Sequence, residues 1–168
     1  MPSTAEGAAP GPIVVRVPDE ESVAALARRL AAALPDRAVV AIEGDLGAGK
    51  TTFVKAVAAA TGLDPATVVS PTFGLIHVHA LPPRATGPRR LVHADFYRLV
   101  HPDELAETGW DDAISGGGWS FVEWPGRIAG HLPADRLDVT IGIDSPTART
   151  FTFTPRGTLV LSAALAAR

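Results

Sequence analysis

Residues 44–51 read Gly-Asp-Leu-Gly-Ala-Gly-Lys-Thr, which fits the phosphate-binding pattern G-x-x-x-x-G-K-[ST] at every position. Glycines suit such a loop because its backbone N–H groups must turn inward and approach phosphate oxygens closely. Lys50 would place its charge on the β- and γ-phosphates, and the hydroxyl of Thr51 would reach a Mg²⁺ ion. The predicted nucleotide contacts are Asp45, Leu46, Gly47, Ala48, Gly49, Lys50, Thr51 and Thr52.

The segments on either side of the loop supply the context that this motif requires. Residues 38–42 form an unbroken apolar run, which is typical of a buried strand. Residues 52–60 read as a helix, and Gly62 stands where its C-terminal cap would fall. This order of strand, glycine loop and helix favours a phosphate site over a glycine-rich surface turn that merely precedes a helix.

Length, composition and charge limit the classes of protein that the chain can represent. The 168 residues are 46% hydrophobic, which suffices for one core, so we expect a flexible leader over residues 1–12 and a single P-loop domain over residues 13–168. A net charge of −3 argues against a broad cationic surface for nucleic acid. With no cysteine, no secretory signal and no apolar run of membrane-spanning length, the sequence predicts a cytoplasmic protein that does not contact the membrane.

Two further apolar segments each end in an acid. Residues 91–95 finish at Asp95, and residues 119–123 finish at Glu123. In parallel sheets that bind nucleotides, an acid at the carboxyl end of a strand orders the Mg²⁺ water shell or the attacking water. Both acids are therefore candidates for one role, and the alternative for either is a salt-bridged surface carboxylate.

The remaining patterns complete the predicted fold. Residues 22–34 place apolar side chains on one helical face. Residues 13–17 read as a strand, and residues 137–143 and 150–154 alternate in polarity as strands of an antiparallel region do. Residues 159–167 read as a short closing helix. We predict a single-domain α/β fold, a P-loop NTPase-like three-layer sandwich whose mixed sheet has an antiparallel portion.

Several features leave two interpretations open. Residues 70–73, Ser-Pro-Thr-Phe, are either a switch loop that senses the γ-phosphate or a proline turn. Arg149 is either a solvated turn residue or a side chain that reaches phosphate or adenine. His77 and His79 share one strand face, which favours a partly exposed surface over a metal site. Residues 81–90 read as a mobile, locally basic hairpin loop, where an acidic partner or RNA could be touched.

Four motifs in one order carry a family resemblance. They occupy residues 44–53, 70–73, 93–99 and 122–125, which read GDLGAGKTTF, SPTF, HADFYRL and VEWP. With these motifs the chain resembles the bacterial TsaE family, formerly YjeE, over about residues 14–153. The loop over residues 81–90 is longer and more basic than is expected of that family.

The resemblance implies a function beyond the binding of phosphate. It implies an ATPase that works with the proteins TsaD and TsaB to make N6-threonylcarbamoyladenosine at position 37 of ANN-decoding tRNAs. TsaD with TsaB would perform the transfer to tRNA, while this chain would bind ATP or ADP with Mg²⁺ and support turnover of the complex. The residue roles that it implies are Thr51 and Glu123 at Mg²⁺, Asp95 at the nucleotide, Trp124 at the border of the site, and Glu20 and Arg149 as further nucleotide contacts.

Two other classes of function compete with the slow ATPase. A small-molecule kinase carries the same loop but needs an acceptor pocket and an arginine-bearing lid. A nucleotide-gated scaffold would need no turnover. No arginine finger is evident, and the candidates for that role are Arg98, Arg127 and Arg149. We therefore predict that the chain without its partners hydrolyses ATP slowly, with Lys50, Asp95 and Glu123 as the catalytic residues. The partner proteins are expected to accelerate this hydrolysis.

Overall fold

A computed structural model gives the fold and describes residues 11–71 and 75–166. These residues contain seven strands, β1 Ile13–Val17, β2 Ala38–Gly44, β3 Ile76–Ala80, β4 Arg90–Asp95, β5 Trp119–Glu123, β6 Arg136–Ile143 and β7 Arg149–Arg156. They also contain three α-helices, α1 Glu20–Ala33, α2 Lys50–Ala60 and α3 Trp110–Ser115. Short 3₁₀ segments span Pro65–Thr67, Pro102–Thr108, Pro125–His131 and Ala163–Leu165.

The strands form one mixed sheet in the order β1-β7-β6-β2-β5-β4-β3. Its four central strands, β6, β2, β5 and β4, run parallel to one another. At one side β7 pairs antiparallel with both β6 and β1, and at the other side β3 pairs antiparallel with β4. The predicted α/β fold with an antiparallel portion of the sheet is confirmed.

The register of the parallel strands determines what meets at their carboxyl ends. Asp95 of β4 is the register partner of Glu123 of β5. On its other side Glu123 is paired with Ile42 of β2, two residues before Gly44 opens the phosphate loop. The sheet therefore brings both acids to the edge from which the loop departs.

The main core lies between one face of the sheet and the helices α1 and α2. Leu26 and Leu30 of α1, together with Phe53 of α2, are fully buried there against strand residues such as Ile42 and Phe121. Each such side chain contributes about 1.5–3 kcal/mol when it leaves water. Helix α2, which carries the phosphate loop at its start, is thus held by a large part of the core.

Helix α1 begins two residues before the predicted start at Ser22. Asp19 caps it, since Asp19 Oδ1 accepts a hydrogen bond from the backbone N–H of Ser22 at 2.8 Å. Glu20 and Glu21 then occupy the first turn, where the helix dipole favours negative charge. The cap therefore makes Glu20 the first residue of α1.

A second core covers the opposite face of the sheet. Phe96, Trp110, Val122 and Ile128 are buried together, and the rings of Phe96 and Trp110 meet edge to face with centroids 5.6 Å apart. Helix α3 and the adjoining 3₁₀ segments supply this layer. With helices on both faces of the sheet, the three-layer arrangement is confirmed.

The C-terminal segment corrects the prediction of a helix over residues 159–167. Within the described part of that range, Ala163–Leu165 form a single 3₁₀ turn. The backbone N–H of Ser162 donates to the carbonyl of Ala33 at 3.0 Å, and Leu161 packs against the main core. These contacts lie across the end of α1 and leave residues 159–162 outside any helix, so the predicted helix was too long and the observed element is a 3₁₀ turn.

Residues 1–10 of the predicted leader lie outside the described part of the chain, so the predicted boundary between residues 12 and 13 stays a prediction. Gly11 and Pro12 directly precede β1. Across the described ranges, none of the helices combines the length and the apolar character that crossing a bilayer requires.

Candidate functional site

The phosphate loop joins the end of β2 to the start of α2. Gly47 and Gly49 have φ angles of +82° and +99°, in the left-handed region that glycine tolerates. The N–H of Ala48 donates to the carbonyl of Asp45 at 2.9 Å and closes the turn. Because α2 begins at Lys50, its first turn presents N–H groups that lack acceptors within the helix, an arrangement suited to an anion.

Gly44 is needed for close packing at the base of the loop. A Cβ on this residue would lie 3.0 Å from both Ala48 Cβ and the carbonyl oxygen of Ile141. We expect Gly44→Ala to lower the free energy of unfolding by about 1–3 kcal/mol, because the backbone of β6 must move to admit the methyl group. Urea unfolding measures this change. Gly11→Ala is the matched control, since a Cβ at Gly11 meets no heavy atom within 4 Å among the described residues beyond its chain neighbours. An equal loss in both variants would contradict the prediction.

Lys50 is held inside the loop that it follows. Its side chain is 5% exposed, and Nζ donates to the carbonyls of Gly44 at 2.7 Å and Asp45 at 3.0 Å. Nζ also lies 4.2 Å from the ring centroid of Trp124, within cation–π range. Burial lowers the pKa of Lys50 below its ordinary value, while nearby carboxylates, with Glu123 the strongest, act to raise it.

The two predicted acids lie together beside Lys50 and Thr51. Glu123 is 3% exposed, and its Oε1 accepts a hydrogen bond from Thr51 Oγ1 at 2.7 Å. Asp95 is only half-buried, and its Oδ1 accepts from the backbone N–H of Tyr97 at 2.9 Å. Both acids therefore face the loop, and they differ in exposure and in hydrogen-bond partners.

The sequence did not identify His93, the third polar residue at this edge. Its ring is fully buried, and Nε2 lies 2.7 Å from Glu123 Oε1. A signal was present, because His93 and Asp95 alternate along one strand and so share a sheet face. His93 thus contacts the same carboxylate oxygen as Thr51.

A cavity of about 420 Å³ opens in front of these groups. Of the predicted site residues it is lined by Leu46, Gly47, Gly49, Lys50, Thr51, Thr52, Asp95, Glu123 and Trp124. Residues that were not assigned to the site also line it, namely Ser70, Pro71, Leu75, Tyr97 and Arg98. The rings of Tyr97 and Trp124 lie 4.9 Å apart, so an aromatic pair borders the cavity.

A second cavity of about 300 Å³ lies on the other side of the loop. Gly47, Gly49 and Thr52 line both cavities, so the loop separates them. Glu20 lines the second cavity, because the start of α1 abuts the loop. The other lining residues are Asp19, Val23, Ala48, Pro146, Thr147, Arg149 and Phe151. Asp45 lines neither cavity and instead contributes its carbonyl to Lys50.

Arg149 braces the back of the loop, a role that neither interpretation from sequence anticipated. Its Nε donates to the carbonyl of Ala48 at 3.0 Å, and Nη2 lies 3.4 Å from the carbonyl of Gly47. Nη1 donates to backbone carbonyls that include Ser145 at 2.8 Å. These bonds fix the guanidinium while the side chain lines the second cavity.

The predicted switch loop is only partly within the described residues. Ser70 Oγ donates to Asp95 Oδ2 at 3.3 Å, which links the segment to the site. Pro71 also lines the larger cavity, whereas Thr72 and Phe73 lie outside the described part of the chain. The role of residues 70–73 as a switch therefore stays a prediction.

The predicted basic loop closes the β3–β4 hairpin and lines neither cavity. Arg84 donates to the carbonyl of Ala60 at 3.1 Å. Arg90 donates to the carbonyls of Gly117, at 2.9 Å, and Ala113. Two of its three arginines thus bind the body of the protein rather than reach over the phosphate loop.

The paired histidines lie on β3 as the alternation predicted. The ring centroids of His77 and His79 are 6.2 Å apart with an edge-on orientation. Among residues 11–71 and 75–166, no cluster of three or more His, Cys, Asp or Glu side chains has an arrangement that could hold a metal ion by itself.

The fold and the loop define the class of this chain, a P-loop NTPase-like α/β protein. The family model described as threonylcarbamoyl adenosine biosynthesis protein TsaE matches residues 17–151. The chain therefore belongs to the TsaE family, whose members take part in the biosynthesis of tRNA threonylcarbamoyladenosine. The resemblance drawn from the four sequence motifs is confirmed.

Individual relatives support the same assignment. The TsaE protein of Bacillus subtilis is 37% identical over 142 residues, which cover 84% of this chain and 85% of the relative. The TsaE protein of Mycobacterium leprae is 34% identical, over 72% of this chain and 76% of the relative. The crystal structure of YdiB from Bacillus subtilis matches with a TM-score of 0.67 and 32% identity, covering 87% of this chain and 86% of YdiB.

Proposed function

We propose that this chain is the ATP-binding and ATP-hydrolysing component of the threonylcarbamoyladenosine pathway, and that it acts with TsaD and TsaB. One observation carries the proposal. Lys50 and Thr51, at the start of α2, line a single cavity of about 420 Å³ together with the carboxylates of Asp95 and Glu123, and Thr51 donates directly to Glu123. A cationic loop opposite two acids is the arrangement that phosphoryl-transfer sites use.

The two cavities suggest where the parts of ATP bind. We assign the triphosphate to the larger cavity, because Lys50, Thr51 and the N-terminus of α2 border it. We assign the nucleoside to the smaller cavity beyond the loop, where Val23 and Phe151 supply apolar surface and Glu20 supplies an acceptor. Arg149 would act there by keeping the loop in shape, since its donors are bonded to loop and turn carbonyls.

The donor set fits a magnesium ion. Thr51 offers a hydroxyl and Glu123 a carboxylate, which are hard oxygen ligands, and Asp95 adds a second carboxylate nearby. Mg²⁺ is commonly held by one or two carboxylates together with substrate phosphates and water, so it does not require a complete protein cage. When bound, Mg²⁺ would neutralise charge on the phosphates and favour cleavage of the terminal group.

Four residues of the chain would have separate roles in ATP hydrolysis. Lys50 would bind the β- and γ-phosphate oxygens with a charge already buried within the loop. Thr51 and Glu123 would hold the metal, and Glu123 is suited to this because its carboxylate is buried and already hydrogen-bonded. Asp95, which is less buried and lines the cavity, would orient the attacking water.

TsaD and TsaB would be the partner proteins with which this ATPase acts. In this proposal tRNA is reached only through the complex, which agrees with the chain's net charge of −3. The cytoplasm is the expected compartment, because tRNA modification takes place there. Hydrolysis would support repeated turnover of the complex.

We predict that ATP hydrolysis rises by at least about tenfold when TsaB and TsaD are added. A cation supplied by a partner can accelerate phosphoryl transfer by about 10³–10⁵-fold, and Arg149, one of the chain's own candidates, is engaged by backbone carbonyls. Release of inorganic phosphate is measured with the chain alone, with each partner, and with both. The Lys50→Ala variant with both partners controls for contaminating ATPases. An unchanged rate would count heavily against partner activation.

The same assay separates ATPase from kinase. Arg84 and Arg90 of the basic loop bond to carbonyls away from the phosphate loop, so this loop is a poor lid for a kinase. With labelled ATP, the proposal expects label in free phosphate. Label transferred to a metabolite would instead establish a kinase.

A further inference from the structure

His93 is a fully buried imidazole that lies against the buried carboxylate of Glu123. Nε2 of His93 and Oε1 of Glu123 are 2.7 Å apart, and both side chains are at most 3% exposed. His93 lies on β4 and Glu123 on β5, thirty residues apart in sequence. Contact between them depends on the register in which His93 pairs with Phe121 and Asp95 pairs with Glu123.

The surroundings of the ring indicate which nitrogen carries the proton. Nδ1 of His93 is buried and has no hydrogen-bond partner among residues 11–71 and 75–166, while Nε2 faces the carboxylate oxygen. A buried N–H without an acceptor is rarer and more costly than a nitrogen lone pair left unpaired. The geometry therefore favours the neutral tautomer in which Nε2–H donates to Glu123.

This hydrogen bond gives Glu123 Oε1 a second donor. Thr51 Oγ1 donates to the same oxygen at 2.7 Å from the side of the phosphate loop. The two hydrogen bonds hold the carboxylate between α2 and β4 and limit its rotation. They also compensate for the loss of hydration that burial imposes on the carboxylate. Asp95 differs, since it is half-buried and one of its oxygens accepts the backbone N–H of Tyr97.

We propose that His93 is a positioning residue that orients the Glu123 carboxylate for the divalent cation of the bound nucleotide. The inference rests on the proposed function, because it requires a Mg²⁺–nucleotide complex in the larger cavity. Hydrogen-bond partners of metal ligands typically change metal affinity by about 10–100-fold when they are removed. His93 would act through Glu123 and would touch neither phosphate nor water itself.

Two substitutions at His93 separate positioning from packing. His93→Leu fills much of the same space but removes the donor, and His93→Gln keeps an N–H donor near the position of Nε2. Mg²⁺ is titrated into each protein in the presence of fluorescently labelled ADP, and labelled ADP is also titrated in EDTA. We expect His93→Leu to raise the Mg²⁺ concentration that gives the half-maximal change in ADP fluorescence by about 10–100-fold. In EDTA its affinity for ADP should change by less than about threefold, and His93→Gln should stay within about threefold of wild type in both titrations.

His77→Leu is the matched control on the neighbouring strand. His77 is the register partner of His93, and its substitution tests whether any loss of an imidazole from this sheet face has the same effect. We expect its Mg²⁺ dependence to equal that of the wild type. A shift as large as that of His93→Leu would overturn a specific role for His93.

The outcomes distinguish this inference from the proposed function. Wild-type protein that binds ADP without any response to Mg²⁺ would contradict both. A normal Mg²⁺ response in wild type and in folded His93→Leu would overturn the positioning role alone. If thermal unfolding shows that His93→Leu does not fold, the ¹⁵N NMR spectrum of the wild-type histidines tests the inferred hydrogen bond instead. A proton on Nδ1 rather than on Nε2 of His93 would refute that hydrogen bond and with it the positioning role.

Discussion

Lys50→Ala is expected to lower kcat/KM for ATP hydrolysis by about 10²–10³-fold and to weaken ATP binding. Lys50 is the only lysine or arginine in residues 44–51, and its Nζ is fixed by the carbonyls of Gly44 and Asp45. A charge that is already buried and oriented binds phosphate without reorganisation during the reaction, which is why its removal should be costly. Isothermal titration with ATP and release of phosphate measure the two effects.

Lys55→Ala provides the matched control for this variant. Lys55 lies on the same helix α2 but lines neither cavity beside the loop. We expect Lys55→Ala to bind and hydrolyse ATP as the wild type does. Thermal unfolding checks that both variants are folded. ATP binding by Lys50→Ala at wild-type affinity would refute the assignment of the triphosphate to the larger cavity.

The parts of the site that lie close together in sequence were predictable. Residues 44–51 carry the loop in one continuous stretch, and the strand before it and the helix after it supply their own local signals. Asp95 and Glu123 were predicted because each ends an apolar strand. Parallel strands place such ends at one edge of the sheet, so the position of both acids beside the loop followed from local patterns.

The contacts that depend on strand register or on distant loops were not predictable. Alternation along β4 places His93 on the same sheet face as Asp95, but its contact with Glu123 depends on the particular register between β4 and β5, which no local pattern specifies. Arg149 reaches carbonyls of the loop that lie about a hundred residues earlier, so its bracing role appears only when β7 is placed beside β6. The short C-terminal 3₁₀ turn, in place of the longer predicted helix, has a similar cause, since Ser162 is joined to the end of α1 by a long-range hydrogen bond.

The roles of the two acids can be separated by conservative substitutions. We expect Glu123→Gln to lower kcat by about 10²–10⁴-fold and to raise the requirement for Mg²⁺, because the amide keeps an oxygen for Thr51 and His93 but loses the charge that would hold the metal. Asp95→Asn should also lower kcat but leave the Mg²⁺ requirement near that of the wild type. ATP hydrolysis over a range of Mg²⁺ concentrations measures both parameters.

Glu43→Gln is the control for both acids. Glu43 precedes the loop, but its carboxylate accepts the backbone N–H of Gly126 and it does not line the larger cavity. A glutamine there keeps the acceptor, so its kcat and its Mg²⁺ requirement should be normal. If Asp95→Asn instead shifted the Mg²⁺ requirement and Glu123→Gln did not, the two roles would be reversed.

The Glu123→Gln variant also tests whether the chain is a nucleotide-gated scaffold. If this variant bound ATP, failed to hydrolyse it and still supported tRNA modification with TsaD and TsaB, the chain would be such a scaffold, because occupancy of the site rather than turnover would suffice.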